Sequence, residues 1–289
     1  MTSEPEQTEP RKLRVALMGE FSAGKSTLLN MLLSQSSLPV RITATSVPPV
    51  WISYGDPAAA SVSHDDIQND LPVGEIGETS LEDTKYIRLW LKADILELCD
   101  LFDMPGISDP NMDRSTWLDL YDEVDSVIWC THATQAWRQS EAATWEEISD
   151  RTNGHNILAI TQFDKIGSER DRMRLLARVT KETEGQFEAI FPLSLVEATT
   201  AEDHDAWIQS GASAFCDHLV DTLLTHQEKF GQDPNQMDEM TSIDAADAAD
   251  ASRISPKRVA RKNEGDAPRQ RLPADKSAEA YAGWKNADL

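Results

Sequence analysis

Apolar residues cluster in short runs along this chain, and longer amphipathic stretches separate them. The runs occupy residues 13–18, 50–54 (VWISY), 86–91 (YIRLWL), 97–102 (ELCDLF), 127–130 (VIWC), 157–161 (ILAIT) and 189–193 (AIFPL). Their brevity and content of β-branched and aromatic residues predict strands. A Leu-rich helix is predicted over residues 27–33, and helices follow the VIWC and ILAIT runs. Ser168 with Asp171 three residues on reads as a helix start before RMRLLARVTKETEG. Phe215, Leu219, Val220, Leu223 and Leu224 recur at helical spacing and predict the helix that ends the folded part. Strand–helix alternation of this kind predicts an α/β fold, a mostly parallel sheet with helices on both faces. In such sheets ligands sit beyond the carboxyl ends of the strands.

Past about residue 230 the pattern is lost. Residues 233–250 carry only acidic charges, with an Ala/Asp repeat, and residues 253–276 turn basic, opening with RISPKRVARK. Low apolar content and segregated charge predict a disordered charged tail over 231–289. Residues 1–12, acidic and Pro-containing, are also expected to be disordered, leaving 13–230 as the folded domain.

The 289-residue chain has a net charge of −23. Residues 232–289 hold nine basic against eleven acidic residues, so −21 belongs to the part before them. A field of that sign repels phosphate backbones and anionic headgroups, which argues against a nucleic-acid partner and for at most peripheral membrane contact. Cys99, Cys130 and Cys216 are odd in number, far apart and without CxxC spacing, so neither a disulfide framework nor a zinc site is indicated. The six histidines show no ligand spacing. No signal peptide and no apolar run of membrane-spanning length is present, and a reducing cytoplasmic location is expected.

One turn carries specific chemistry. Gly19-Glu20-Phe21-Ser22-Ala23-Gly24-Lys25-Ser26 fits G-x-x-x-x-G-K-[ST], with an apolar strand before it and a helix after it. The glycines let the backbone curl until successive N–H groups point into one concavity, and the helix N-terminus adds partial positive charge. The cradle runs on to Thr27. Lys25 would reach the β- and γ-phosphates, and the Ser26 hydroxyl would ligate Mg²⁺. The anion is therefore a nucleoside triphosphate.

Later runs supply the rest of a site. Asp103-x-x-Gly106 ends a strand; Asp103 would hold Mg²⁺ through water, and the Gly106 N–H would meet the γ-phosphate. Thr161-Gln162-Phe163-Asp164 matches [NT]-K-x-D with Gln162 in place of lysine. The Asp164 carboxylate can accept from guanine N1–H and its exocyclic amine, which adenine does not offer, so GTP is expected. Ser194 follows the last strand, where a backbone contact to guanine O6 is expected. Thr43, Thr45 and Ser46 each offer a switch hydroxyl to close over Mg²⁺.

GEFSAGKSTLLNMLL, LPVRITATSVPPVWISYGD, DLFDMPGISDP, THATQAWRQSE and TQFDK together resemble the GTPase domain of dynamin-like proteins, above all the bacterial branch. The resemblance spans roughly residues 13–224 and makes 13–230 a dynamin-like G domain. Registered on Tyr54 and Gly55, it places the family's switch threonine at Thr45, with Ser46 after it. The candidate catalytic residues are then Lys25, Ser22 and Thr45, and the metal set is Ser26, Thr45 and Asp103.

Two departures stand out. Phe21 occupies a P-loop position where eukaryotic dynamins carry glutamine, and Ile107 follows Gly106 where many small GTPases keep one. Slow turnover is expected unless a second chain completes the site. The resemblance implies pairing through the nucleotide face, with Trp137 and Arg138 on a loop that could reach across. The sixty or so polar residues after the domain lack a stalk, so self-contained membrane fission is not expected. The alternative to a GTPase is a GTP-dependent switch or scaffold with negligible hydrolysis that recruits a partner through its tail.

Overall fold

The structure, a computed structural model, describes residues 11–33, 48–108 and 120–231. The expectations for residues 1–10, for Thr43, Thr45 and Ser46, and for the tail beyond Gly231 lie outside the described residues.

Nine strands form one sheet: β1 (Leu13–Gly19), β2 (Val50–Tyr54), β3 (Ala58–Val62), β4 (Gln68–Asp70), β5 (Tyr86–Leu91), β6 (Cys99–Asp103), β7 (Ser126–His132), β8 (Ile157–Thr161) and β9 (Ala189–Pro192). Their order is β4-β3-β5-β2-β6-β1-β7-β8-β9. From β6 through β9 every neighbour is parallel. Strand β2 runs antiparallel to β6 and parallel to β5, and β3 and β4 extend the sheet by antiparallel pairing. The seven helices are α1 (Lys25–Leu33), α2 (Ile95–Leu98), α3 (Gln139–Ile148), α4 (Glu169–Glu182), α5 (Leu195–Thr199), α6 (His204–Gln209) and α7 (Ala212–Gly231) among the described residues.

Central strands are buried on both faces, so their side chains feed two cores. Leu13, Val15 and Leu17 of β1 pack with Leu28, Leu29, Leu101, Phe215 and Leu219 on one side. Ala16 and Met18 pack with Phe102, Trp129, Trp145, Ile148 and Val179 on the other. The expected two-faced α/β sheet is the observed one. Trp129, Trp145, Trp137 and Phe187 build the second core through edge-on and stacked contacts, with Trp145 and Phe187 centroids 4.4 Å apart.

Four differences from the sequence reading have local causes. Residues 95–98 form one helical turn, α2, before β6 begins at Cys99; a short apolar run does not declare its period. The segment between β2 and β5 holds β3 and β4, whose Ala-rich and polar sequences give no strand signal. Arg11 and Lys12, expected to be disordered, are tied down. Arg11 makes a two-pronged ion pair with Asp125 at 2.5 and 2.7 Å, and Lys12 Nζ donates to the Leu96 carbonyl at 2.8 Å. Finally, Trp137 lies 7% exposed inside the second core, so this ring is not available to reach a second molecule. Ser168 does cap α4, accepting from the Asp171 N–H at 3.1 Å. No helix of the described residues is long and apolar enough to cross a membrane.

Candidate nucleotide-binding site

Parallel strands β6, β1, β7 and β8 bring four loops to one edge of the sheet. The loop after β1 is the glycine-lysine turn. Gly19 has φ +139°, a backbone state closed to most residues, and a Cβ there would collide with the carbonyl oxygen of its register partner Cys130. Gly24 has φ +87° and lies against Thr161, with a built Cβ 3.2 Å from the threonine Cβ. Both glycines are therefore required by conformation and by space.

Lys25 is buried, and its Nζ donates to the carbonyl oxygens of Gly19 at 3.1 Å and Glu20 at 2.9 Å. The ammonium is thus folded back across the loop it follows. Ala23 N–H donates to Glu20 O at 3.2 Å, closing the turn, and Leu28 N–H bonds Gly24 O at 2.9 Å as α1 begins. Ser26 is half-buried and Thr27 exposed at the start of that helix. Ser22, exposed, holds the left-handed conformation with φ 59°.

Asp103 ends β6 in register with Leu17 of β1. Burial pushes its carboxyl up to about 6, against the pull of the Lys25 ammonium. The turn after it leans on the P-loop directly. Ile107 N–H donates to Gly19 O at 3.2 Å, and a Cβ at Gly106 would stand 2.9 Å from the Phe21 nitrogen. Phe21 N–H in turn contacts Ser108 Oγ at 3.4 Å. Ile107 packs against the second core. Phe21, 54% exposed, presents only a ring.

The loop after β7 forms the next wall of a cleft of about 370 Å³, shared by Glu20, Phe21, Ser22, Ser108, His132 and Arg138. Its shape rests on a buried carboxylate that no motif in the chain marks. Glu141 accepts from Trp129 Nε1 at 3.1 Å, Thr131 Oγ1 at 3.0 Å and the Arg138 N–H at 2.9 Å. Thr131 Oγ1 accepts from the Trp137 N–H at 2.9 Å. Burial raises the Glu141 carboxyl, and the three donors oppose that rise. Ser140 Oγ donates to Glu20 Oε1 at 2.7 Å, so this loop also touches the P-loop.

The fourth loop follows β8. Thr161, fully buried, donates through Oγ1 to Ala23 O at 2.7 Å, with Thr131 O at 3.2 Å. Asp164 sits half-exposed in a short 3₁₀ turn, Phe163–Lys165. Phe163 N–H donates to Leu193 O at 3.1 Å, which ties this loop to the end of β9. Ser194 is buried there, and its N–H donates to Ser210 O at 2.9 Å.

Gly19, Glu20, Phe21, Ser22, Ala23, Gly24, Lys25, Ser26, Asp103, Gly106, Thr161, Asp164 and Ser194 thus belong to loops at one sheet edge, and the structure adds Ser108, His132, Glu141 and Gln162 to that neighbourhood. A glycine-lysine turn between a central parallel strand and a helix, at the carboxyl edge of such a sheet, defines a P-loop nucleotide-binding domain.

A sequence model of the dynamin family matches residues 15–163, more than half of the chain, and the chain belongs to that family. Dynamin-like protein 2 of Campylobacter jejuni subsp. jejuni is 24% identical over 229 residues, 76% of this chain and 37% of that protein. Two solved structures are described as an oligomerised bacterial dynamin pair providing a mechanism for long-range sensing and tethering of membranes. They superpose with TM-scores of 0.52 and 0.54 at 20% and 22% identity, over 76% of this chain and 36% of theirs. At that identity the likeness speaks for the fold. The chain spans little more than a third of the length of these relatives.

Proposed function

We propose that this chain binds GTP with Mg²⁺ and hydrolyses it to GDP and phosphate, as a dynamin-like G domain over residues 13–230. The observation that carries the reading is the bracing of one loop from three sides. The Gly19–Ser26 turn is held by Lys25 from within, by the Asp103–Ser108 turn from β6, and by the Thr161–Asp164 loop from β8.

Lys25 would exchange its two carbonyl partners for the β- and γ-phosphate oxygens, a trade of neutral acceptors for charged ones. The amides of the turn and of α1's first residues would bind the remaining oxygens. Asp164, half-exposed beyond β8, would read the base through its two acceptor oxygens. The donor set suits magnesium: one hydroxyl at Ser26 and one carboxylate at Asp103, hard oxygens that leave most positions to water and phosphate. The upward shift of the half-buried Asp103 carboxyl supports this, since a divalent ion would favour its ionised form. Magnesium, when bound, would neutralise charge developing on the phosphoryl oxygens. The protein's part is to position the phosphates and exclude alternatives.

Lys25→Ala is expected to abolish heat from GTP in calorimetry with magnesium present. Asp164→Asn is expected to transfer preference from guanine to xanthine nucleotides. Wild-type preference for ATP would overturn the base assignment.

A second reading is favoured by Phe21 and Ile107, one a ring and the other committed to the core: a GTP-dependent switch with negligible hydrolysis. Single-turnover hydrolysis across protein concentrations separates the two. Rates that climb with concentration support an enzyme completed by a homodimer through the nucleotide face, and flat rates near zero support the switch. The description of relatives as an oligomerised pair that senses and tethers membranes supports testing pairing, and sedimentation with anionic vesicles, in the same preparation.

A further inference from the structure

Gln162 stands where the guanine motif carries lysine, and the structure gives it a defined task. Its side-chain Nε2 donates to the Ser22 carbonyl oxygen at 3.2 Å, across 140 positions of chain. Its Oε1 accepts from Lys165 Nζ, three residues on. The two neighbours leave no ambiguity about the amide. A carbonyl only accepts and an ammonium only donates, so Oε1 faces Lys165 and Nε2 faces Ser22. Swapping them would set a donor against a donor and an acceptor against an acceptor.

The backbone agrees. Gln162 holds φ 53° and ψ 37°, a left-handed state that a residue with a side chain adopts at an energetic cost. Ser22, at the other end of the bond, is left-handed as well. Two strained residues facing each other across one hydrogen bond mark a constraint imposed from outside each loop. Next to it, Thr161 holds the following carbonyl, that of Ala23. Because each peptide unit is planar, a fixed carbonyl fixes the N–H on its far side. Holding Ala23 O therefore aims the Gly24 N–H, and holding Ser22 O aims the Ala23 N–H that closes the turn on Glu20 O.

We infer that Gln162 and Lys165 act as a two-residue relay that positions the P-loop from the base-reading loop, the cation lying on one residue and the reaching donor on the other. The inference rests on the nucleotide-binding reading above. Lys165 is a positioning residue: it locks the Gln162 amide and polarises it, which strengthens the bond to Ser22. The relay also joins two halves of the pocket, so the base-binding Asp164, flanked by both members, is set in register with the phosphate loop. Lys165 is exposed and Gln162 half-exposed, so their substitution does not threaten the core.

The test is release of a fluorescent GDP analogue by stopped flow from five full-length proteins: wild type, Lys165→Ala, Lys165→Arg, Gln162→Lys, and the double variant of Lys165→Ala with Gln162→Lys. Lys165→Ala is expected to release the analogue about 3- to 10-fold faster, the effect of one weakened hydrogen bond. The double variant is expected to return to within about 2-fold of wild type, because a lysine at 162 supplies cation and donor together. Lys165→Arg, which keeps a donor, is expected to behave as wild type. A purely structural role for Lys165 would not be rescued by a lysine at another position. Release from Lys165→Ala at the wild-type rate, or a double variant as fast as Lys165→Ala, overturns the relay alone. A wild-type protein that binds no guanine nucleotide overturns the parent reading, and that result appears before any variant is compared.

Discussion

Thr161 Oγ1 donates to the Ala23 carbonyl oxygen at 2.7 Å, joining the end of β8 to a loop 138 positions earlier. Both groups are inaccessible to water, so no solvent hydrogen bond replaces this one. Thr161→Val keeps the shape and removes the donor. A loss of about 1–3 kcal/mol in unfolding free energy is expected, the cost of stranding a buried carbonyl. Urea denaturation measures it, and GTP affinity should fall in parallel because the P-loop loses one of its braces.

Gly19→Ala should be far more damaging than its size implies. The new methyl would meet the Cys130 carbonyl of a paired strand at the sheet's centre, in a backbone state that alanine resists. A loss above roughly 4 kcal/mol is expected, in the class of core overpacking combined with strain. Gly74→Ala is the control. Nothing lies within 4 Å of a Cβ there, and a change within about 0.5 kcal/mol is expected.

The Glu141 carboxyl is raised by burial, which fixes the sign of its pH dependence. In the fold it holds its proton more tightly than in the unfolded chain. Its contribution to stability is therefore fullest below the ordinary carboxylate range and is lost as pH rises through the folded value. Comparison with Glu141→Gln isolates this group, since other carboxylates titrate alike in both proteins. The difference in unfolding free energy, wild type minus variant, is expected to decline from pH 4 upward. A difference that grows with pH would mean that the three donors outweigh burial.

The three cysteines are free, and burial pushes all of them up: Cys130 to about 12, Cys216 to about 11, Cys99 further still. The thiolate is the reactive form, so the native protein should react sluggishly with a thiol reagent at pH 8. Cys216, part-exposed, should react first, and all three should react at once in guanidinium. Rapid native labelling of Cys99 or Cys130 would show that the sheet opens.

Fold and site were legible to different depths. Strands Tyr86–Leu91 and Ile157–Thr161 announce themselves because their apolar runs end at polar residues. Strand β3 does not, since Ala59 and Ala60 become strand residues only through pairing with β5. Trp137 reads as a loop residue free to reach outward, yet Trp129 and Phe187 take it into the core.

The linear chain by itself determined the P-loop, from Gly19 to Ser26, because phosphate cradling needs glycine freedom, a lysine and a hydroxyl within one continuous turn. It also determined the alternation that makes a two-faced sheet. Tertiary structure alone decided what holds that turn in shape: Thr161 on Ala23, Gln162 on Ser22, and Glu141 beneath the loop after β7. Local spacing encodes local conformation. These three contacts depend on which strands lie side by side, and strand order follows from packing of the whole sheet.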